Sequence, residues 1–454
     1  MNEKAIHAGI DIGTTNITIT AFDLNEKRVH ACFSLPNRRM QSGGSFDYIQ
    51  DPLEIERSVQ SMLSSIDRPI ASICVTGQVH GILYYDAHGE AVSPLYTWLD
   101  QRAMISVNSV NSQQALYDET GVLLPIGYGL LTHYANRRLN SIPSEAVGFC
   151  GILEYITGRL VGKILTESDS SCLGTYGAFD PVSLQFDPHV LEIVFGNGKD
   201  SFLNPAQPFT VAGCTDEGIP VAYAVGDNQA GFFGMVSDWT HSALISIGTS
   251  GQLSLFNTSD CCSGSMELRP FLGQGYLHVG ATLAAGKAYE TVEKFLLSVL
   301  RIAGNTVDDE QVFTMMKEAA SKEIQHERLQ VDTRFAGTRQ NPALRGSINN
   351  IGLDNLTVDN LVQSTVEGIA EELYSFSRNA GAIFDSVDRI VATGSSVRKN
   401  ILFTEALRRL FRMPTVIAEI DDGAGFGAAL IGAVATGALP LIDVRTLVHD
   451  ILGT

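Results

Sequence analysis

The sequence predicts an α/β protein made of two related halves. Three observations carry this reading: the length, an internal echo, and an alternation of strand-like and helix-like segments. The chain has 454 residues, too many for one ordinary core and enough for two domains of about 200 residues or a little more each. The echo pairs residues 9–22 with residues 243–256. Each is an aliphatic strand, a Gly-Thr turn and a second strand with alternating small and apolar residues, the pattern of a β-hairpin. Its recurrence at the start of each half points to a duplicated domain with related chemistry at both turns. Asp11 of the first copy corresponds to Ser246 of the second, so one copy keeps the carboxylate.

The elements between the hairpins alternate. Residues 52–66 read as a helix with Asp51 as its cap, and residues 70–75 as the strand that follows. Residues 361–382 form a long helical pattern and 389–392 a short apolar strand. Residues 400–411 form an amphipathic helix with Pro414 beyond its end. Such alternation places helices on sheet faces. No Pro-rich, Ser-rich or charged linker separates the halves. The expected boundary falls at 233–240, giving domains 1–235 and 236–454.

Composition narrows the partners. With 44% hydrophobic and 18% charged residues the chain reads as globular. Lys and Arg number 31 against 50 Asp and Glu, a net charge of -19. That surface disfavours nucleic acid and anionic membranes, which are polyanions. The seven cysteines show no C-x-x-C pair, and their odd number suits free thiols in a reducing, cytoplasmic setting. Asp11 interrupts any apolar signal core, so no secretory segment is expected. The uncharged tract 423–442 is rich in Gly and Ala and contains Pro440. It reads as a helix packed closely on a sheet, neither a membrane span nor a nucleotide loop.

Six segments carry chemistry. In Asp11-Ile12-Gly13-Thr14-Thr15, a Gly-Thr turn can aim N–H groups and hydroxyls at a phosphate, and Asp11 could hold magnesium through its water shell. A plain tight hairpin is the competing reading. The second turn, Gly248-Thr249-Ser250-Gly251, strengthens the phosphate reading, since two turns can clamp one polyphosphate. In Gly226-Asp227-Asn228 a strand enters a helix, and Asp227 is either a general base for an attacking alcohol or a helix cap. Gln78 and His80, with Trp98, Asp100 and Arg102, supply the planar polar and aromatic groups that bind sugars. The competing reading makes His80 a loop histidine and Trp98 a core anchor. Finally, Gly394 in the turn 393–400 can let an adenine lie against the backbone while Ser395 or Ser396 caps the helix.

In this order the segments resemble the FGGY family of carbohydrate kinases over nearly the whole chain. The matching motifs are G-I-D-x-G-T-T at 9–15, G-Q-x-H-G at 77–81, W-x-D-x-R at 98–102, the Asp227 segment, the turn 248–251 and the adenosine turn 393–395. Residues 337–342 are similar to a weakened G-E-R-x-P loop. The resemblance implies two ribonuclease-H-like domains of the actin/Hsp70 type facing a central cleft. It implies ATP and magnesium as cofactors, Asp227 as base, and Asp11 orienting hydrated magnesium. It places Gln78, Val79, His80, Trp98, Asp100 and Asn228 at the sugar. It places Gly13, Thr14, Thr15, Gly248, Thr249, Ser250, Gly251, Gly394 and Ser395 at ATP. Within the family, residues 97–100, 127–132 and 227–230 are most similar to sedoheptulose kinases, and Ser168-Asp169 falls where those present a substrate-side pair. The expected reaction is phosphorylation of a ketose's terminal hydroxyl, sedoheptulose to its 7-phosphate. A pentulose kinase and a non-catalytic ATP switch are the alternatives. A homodimer is compatible with this reading. Three residues depart from the family pattern: Thr18 stands where Lys is common, Val79 where Met is usual, and Thr338 where Glu is usual.

Overall fold

In the computed structural model, which describes residues 6–196, 202–261, 266–321, 324, 326–338, 341 and 343–454, both echoes are β-hairpins. The first pairs β1 (Ile6–Ile12) with β2 (Asn16–Asp23), Asp11 lying opposite Thr18. With β3 (Arg28–Pro36), β4 (Ile70–Gly77), β5 (Val211–Cys214) and β6 (Pro220–Ala222) they form one sheet, in the order β5-β6-β4-β1-β2-β3. The second hairpin, β7 (Ser242–Ile247) and β8 (Gly251–Asn257), sits in another six-stranded sheet. Joined by β9 (Glu267–Phe271), β10 (Gly275–Thr282), β11 (Arg389–Thr393) and β12 (Thr415–Ile417), it runs β9-β10-β8-β7-β11-β12. This is the α/β fold with a ribonuclease-H-like sheet in each half that the sequence and its resemblance led us to expect.

The duplication extends beyond the hairpins. Strand β4 runs parallel to β1 and brings Gly77 beside Ile12, while β11 runs parallel to β7 and ends at Thr393, just before Gly394. Gly77 has φ +140° and Gly394 φ +101°, backbone that L side chains rarely adopt. A Cβ at Gly77 would lie 2.4 Å from the Ile12 carbonyl oxygen, and one at Gly394 would lie 2.4 Å from that of Ile247. The same turn is thus built twice against the same part of the hairpin.

The chain divides into two compact units, one of residues 1–237, 269–276 and 422–451, the other of 238–268, 277–421 and 452–454. In the first, alternate residues of β1 and β2 (Ile10, Ile12, Ile17, Ile19) pack with Ile55 and Val59 of the helix Pro52–Leu63. The other face of that sheet carries the helix Gly423–Ala435. Gly9 and Gly425 touch so closely that a Cβ at Gly9 would lie 1.8 Å from the Gly425 carbonyl oxygen, which accounts for the small residues of this tract. Gly9→Ala is expected to destabilise the protein by about 1–3 kcal/mol through overpacking, read as a lowered thermal midpoint. In the second unit the long helix Val358–Ala380 covers its sheet through Val362, Val366, Ile369 and Leu373.

Several local expectations shift. The helix starting at Pro52 stops at Leu63, with Asp51 accepting from the Leu53 N–H as expected. The long helix begins earlier, at Val358, because the Thr357 side chain caps it by accepting from Asn360 N. Neither Ser395 nor Ser396 caps a helix. Gly394 occupies the cap position without a side-chain bond, both serines fall inside the first turn, and Asn400 caps the helix Ile401–Phe411 through Leu402 N. Among the described residues no helix is long and apolar enough to cross a membrane, and Cys74, Cys150, Cys172, Cys214 and Cys261 are free thiols. Arg339, Gln340, Pro342 and Cys262, named in the sequence reading or its cysteine count, lie outside the described residues.

Candidate active site

The first turn is shaped from behind by amides. Asn37 Nδ2 donates to the Gly13 carbonyl at 2.8 Å and Gln50 Nε2 to the Thr14 carbonyl at 2.9 Å. The Asn37 backbone N–H donates to the Thr15 carbonyl at 2.8 Å. The Thr14 hydroxyl then joins groups expected at the sugar. It accepts from Trp98 Nε1 at 2.9 Å and donates to Gln78 Oε1 at 3.4 Å, while Gln78 Nε2 donates to Gln50 Oε1 at 2.7 Å. A residue chosen for phosphate and two chosen for sugar therefore share one network. His80 holds a left-handed backbone, φ +75°, and stacks on Tyr128 with ring centroids 4.3 Å apart. Its Nδ1 lies 3.0 Å from the Thr175 carbonyl. A carbonyl only accepts, so Nδ1 carries a proton there.

Two expected sugar contacts are placed differently. Asp100 is 1% exposed, with its oxygens taken by Arg102 Nε at 2.6 Å, Arg102 Nη2 at 3.0 Å and Tyr48 N at 3.0 Å. It anchors the segment that presents Trp98. Val79 packs on the core beneath the first sheet.

Asp227 is the first residue of the helix Asp227–Met235, and Gly226 occupies the cap position, so the cap role weighed against Asp227 belongs to its neighbour. The Asp227 carboxylate accepts from Asn228 N at 2.7 Å. Asp11 lies within its electrostatic reach, and a third carboxylate, Asp422, joins them. Asp422 caps the helix Gly423–Ala435 and accepts from Gly425 N at 2.8 Å and Thr20 Oγ1 at 3.1 Å. Asp11 and Asp422 share a side-chain hydrogen bond. Burial first, then the charges of Asp422 and Asp227, hold Asp11 protonated well above the ordinary carboxylate range. Two carboxyls sharing one proton, with a third close by, are hard oxygen donors short of positive charge, which suits a magnesium ion. Among the described residues no three acidic, His or Cys side chains form an all-protein metal cage. Magnesium commonly takes only one or two carboxylates, with water and phosphate completing its shell.

In the second unit the other turn is bound to a helix start. The Gly248 carbonyl accepts from Gly286 N at 2.9 Å, and the Thr249 carbonyl accepts from Ala285 N at 3.0 Å and Lys287 N at 3.1 Å. Gly251 N donates to Thr282 Oγ1 at 2.9 Å. Beside Gly286 a cavity of about 160 Å³ is lined by Tyr289, Phe313, Ser395, Ser396 and Asn400. Tyr289 and Asn400 are 4% and 2% exposed, and neither the Tyr289 hydroxyl nor Asn400 Nδ2 makes a well-formed hydrogen bond. Aromatic walls with buried donors are what a purine needs. Of the two residues that the sequence singled out for adenosine, Gly394 and Ser395, Ser395 lines this cavity. Tyr289 and Phe313 were missed, having no motif of their own.

The comparison with known proteins follows this geometry. The model of the N-terminal domain of the FGGY family of carbohydrate kinases matches residues 6–234, and that of its C-terminal domain matches residues 243–436. The chain belongs to the FGGY family of carbohydrate kinases. It is a sugar kinase, which sets aside the non-catalytic switch. Among FGGY relatives, the sedoheptulokinase of Mus musculus is 24% identical over 95% of this chain and 98% of its own length. The xylulose kinase of Staphylococcus xylosus is also 24% identical, over 94% of this chain and 90% of its own. The crystal structure of ligand-bound xylulose kinase from Lactobacillus acidophilus superposes with a TM-score of 0.80 at 21% identity, covering 98% of this chain and 92% of that one. That likeness shows the FGGY fold.

Proposed function

We propose that this kinase transfers the γ-phosphoryl group of ATP to the terminal hydroxyl of a small ketose, with sedoheptulose giving sedoheptulose 7-phosphate as the first choice. The observation that carries the reading is Asp227 at a helix start beside the Asp11–Asp422 pair, in the unit that also holds the Thr14, Gln78 and Trp98 network. Residues 1–235 supply the sugar groups and the base, and residues 236–454 the nucleotide groups. The Asp227 carboxylate takes the proton of the attacking hydroxyl, a new O–P bond forms, and ADP leaves with the electrons of the broken bond. Gln78, His80, Trp98 and Asn228 orient the sugar. The turns 13–15 and 248–251 offer N–H groups and hydroxyls to the phosphates, while Tyr289, Gly394, Ser395 and Asn400 receive the adenosine. Asp11, through water, with Asp422 behind it, would hold magnesium, which supplies charge neutralisation on the phosphates. The reaction is assigned to the cytoplasm.

Two features favour sedoheptulose: the segments 97–100, 127–132 and 227–230, and the 95% span shared with the mouse enzyme. A pentulose is the second reading, since the staphylococcal xylulose kinase is equally identical. ADP release with magnesium-ATP across sedoheptulose, xylulose, ribulose, fructose and glycerol separates them. Highest kcat/KM for sedoheptulose supports the first reading, and highest kcat/KM for a pentulose overturns it in favour of the second.

The nucleotide assignment is tested at Asn400. Asn400→Asp keeps the side-chain oxygen that caps the next helix but replaces the buried NH₂ donor with an acceptor. The KM for ATP is expected to rise about tenfold with the thermal midpoint unchanged. An unchanged KM would remove Asn400 from the nucleotide site.

A further inference from the structure

We infer that Ser171, backed by Asp169, is a positioning residue for the proton-accepting carboxylate of Asp227. The inference rests on the assignment of Asp227 as the base. The segment Ser168-Asp169-Ser170-Ser171 was expected to face the substrate, but the structure buries it: Ser168 is 2% exposed, Asp169 3% and Ser171 2%. The Ser168 hydroxyl donates to Glu154 at 2.8 Å, and the Ser171 hydroxyl meets the turn that carries Asp227.

Asp169 caps the short helix Ser170–Leu173, its Oδ1 accepting from Ser171 N at 2.8 Å. The Ser171 hydroxyl accepts from Gly226 N at 3.0 Å in a buried bond. A serine hydroxyl has one proton to give and lone pairs to receive. Asp169 holds the Ser171 backbone N–H, and the Ser171 hydroxyl oxygen in turn holds the Gly226 N–H.

Gly226 is where this chain matters. It is the cap of the helix that begins with Asp227 and, as a glycine, has no side chain with which to cap it. Its N–H goes to Ser171, which holds the peptide before Asp227 from outside the helix. Two further bonds clamp the approach: Cys172 Sγ lies 3.5 Å from the Ala224 carbonyl, and Val225 N donates to Val75 O of β4 at 3.0 Å. Of these three bonds, the one that Ser171 accepts is made by the residue next to Asp227 in the chain. A misplacement of about 1 Å far from the reacting atoms can lower a rate by about 10².

Ser171→Ala removes the acceptor with little change in volume. With magnesium-ATP and sedoheptulose, and again with xylulose, kcat is expected to fall about 10–100-fold while both KM values stay within about threefold. Ser171→Thr, which keeps a hydroxyl, should restore most of the rate. In an Asp227→Ala background the Ser171→Ala change should add little, because a positioning group has nothing left to position. Thermal midpoints of all variants show whether the fold is kept. The inference is overturned if Ser171→Ala leaves kcat unchanged while Asp227→Ala abolishes it, or if the two losses multiply in the double variant. If Asp227→Ala itself costs less than tenfold, the base assignment fails first and this inference with it.

Discussion

Asp227→Ala lowers turnover about 10²–10⁴-fold, equivalent to about 3–5 kcal/mol of barrier, and leaves ATP binding within about threefold. The size follows from the role. An alcohol is a poor nucleophile until its proton is removed, and the carboxylate removes it as the O–P bond forms. Nucleotide affinity should survive because the adenosine groups Tyr289, Ser395 and Asn400 belong to the other compact unit. Folding should survive as well, because Gly226 and not Asp227 occupies the helix cap. Steady-state kinetics with saturating sugar, alongside nucleotide titration of the variant, checks both parts. A loss of less than tenfold would remove Asp227 from the role of base.

Asp11→Asn is expected to lower kcat about 10²-fold and to raise the magnesium concentration needed for half-maximal rate about tenfold or more. The amide keeps the shape of the side chain and can still donate to Asp422, so the packing of the helix Gly423–Ala435 on β1 should persist. What changes is charge. Asp11 and Asp422 hold one proton between them because two buried negative charges repel. A cation held there would take the place of that proton, and the neutral amide would not offer it the same oxygen charge. A magnesium titration of kcat at fixed ATP reads the effect, and an unshifted titration would take Asp11 out of metal binding.

The two hairpins were legible because their signal is local: strand alternation, a Gly-Thr turn, and a repeat of the same pattern. Asp11 and Asp227 stood out in the sequence for the same reason, each in a short motif, though Asp11 lies near the end of β1 and Asp227 at the start of a helix. Asp422 was not. In sequence it only begins a tract of small residues, and its packing role there is real, since Gly425 meets Gly9. Its partnership with Asp11 and Thr20 exists only once that helix lies on the first sheet. The adenosine turn showed the same limit. Gly394 could be read from its neighbours, whereas Tyr289 and Phe313 reach the cavity from separate helices whose sequence shows only an apolar face. Asp100 carried a polar residue's signature, yet folding engages its oxygens with Arg102 and Tyr48. A side chain's type was visible in the sequence, but its partners were not.

The most direct test of the account is the structure of the product. The kinase, magnesium-ATP and sedoheptulose would be incubated to completion and the sugar phosphate examined by phosphorus–proton correlated nuclear magnetic resonance. The account predicts phosphate on the terminal carbon of the ketose, with one sugar phosphate formed for each ADP. Phosphate on another carbon, or ADP released without a phosphorylated ketose, would contradict it.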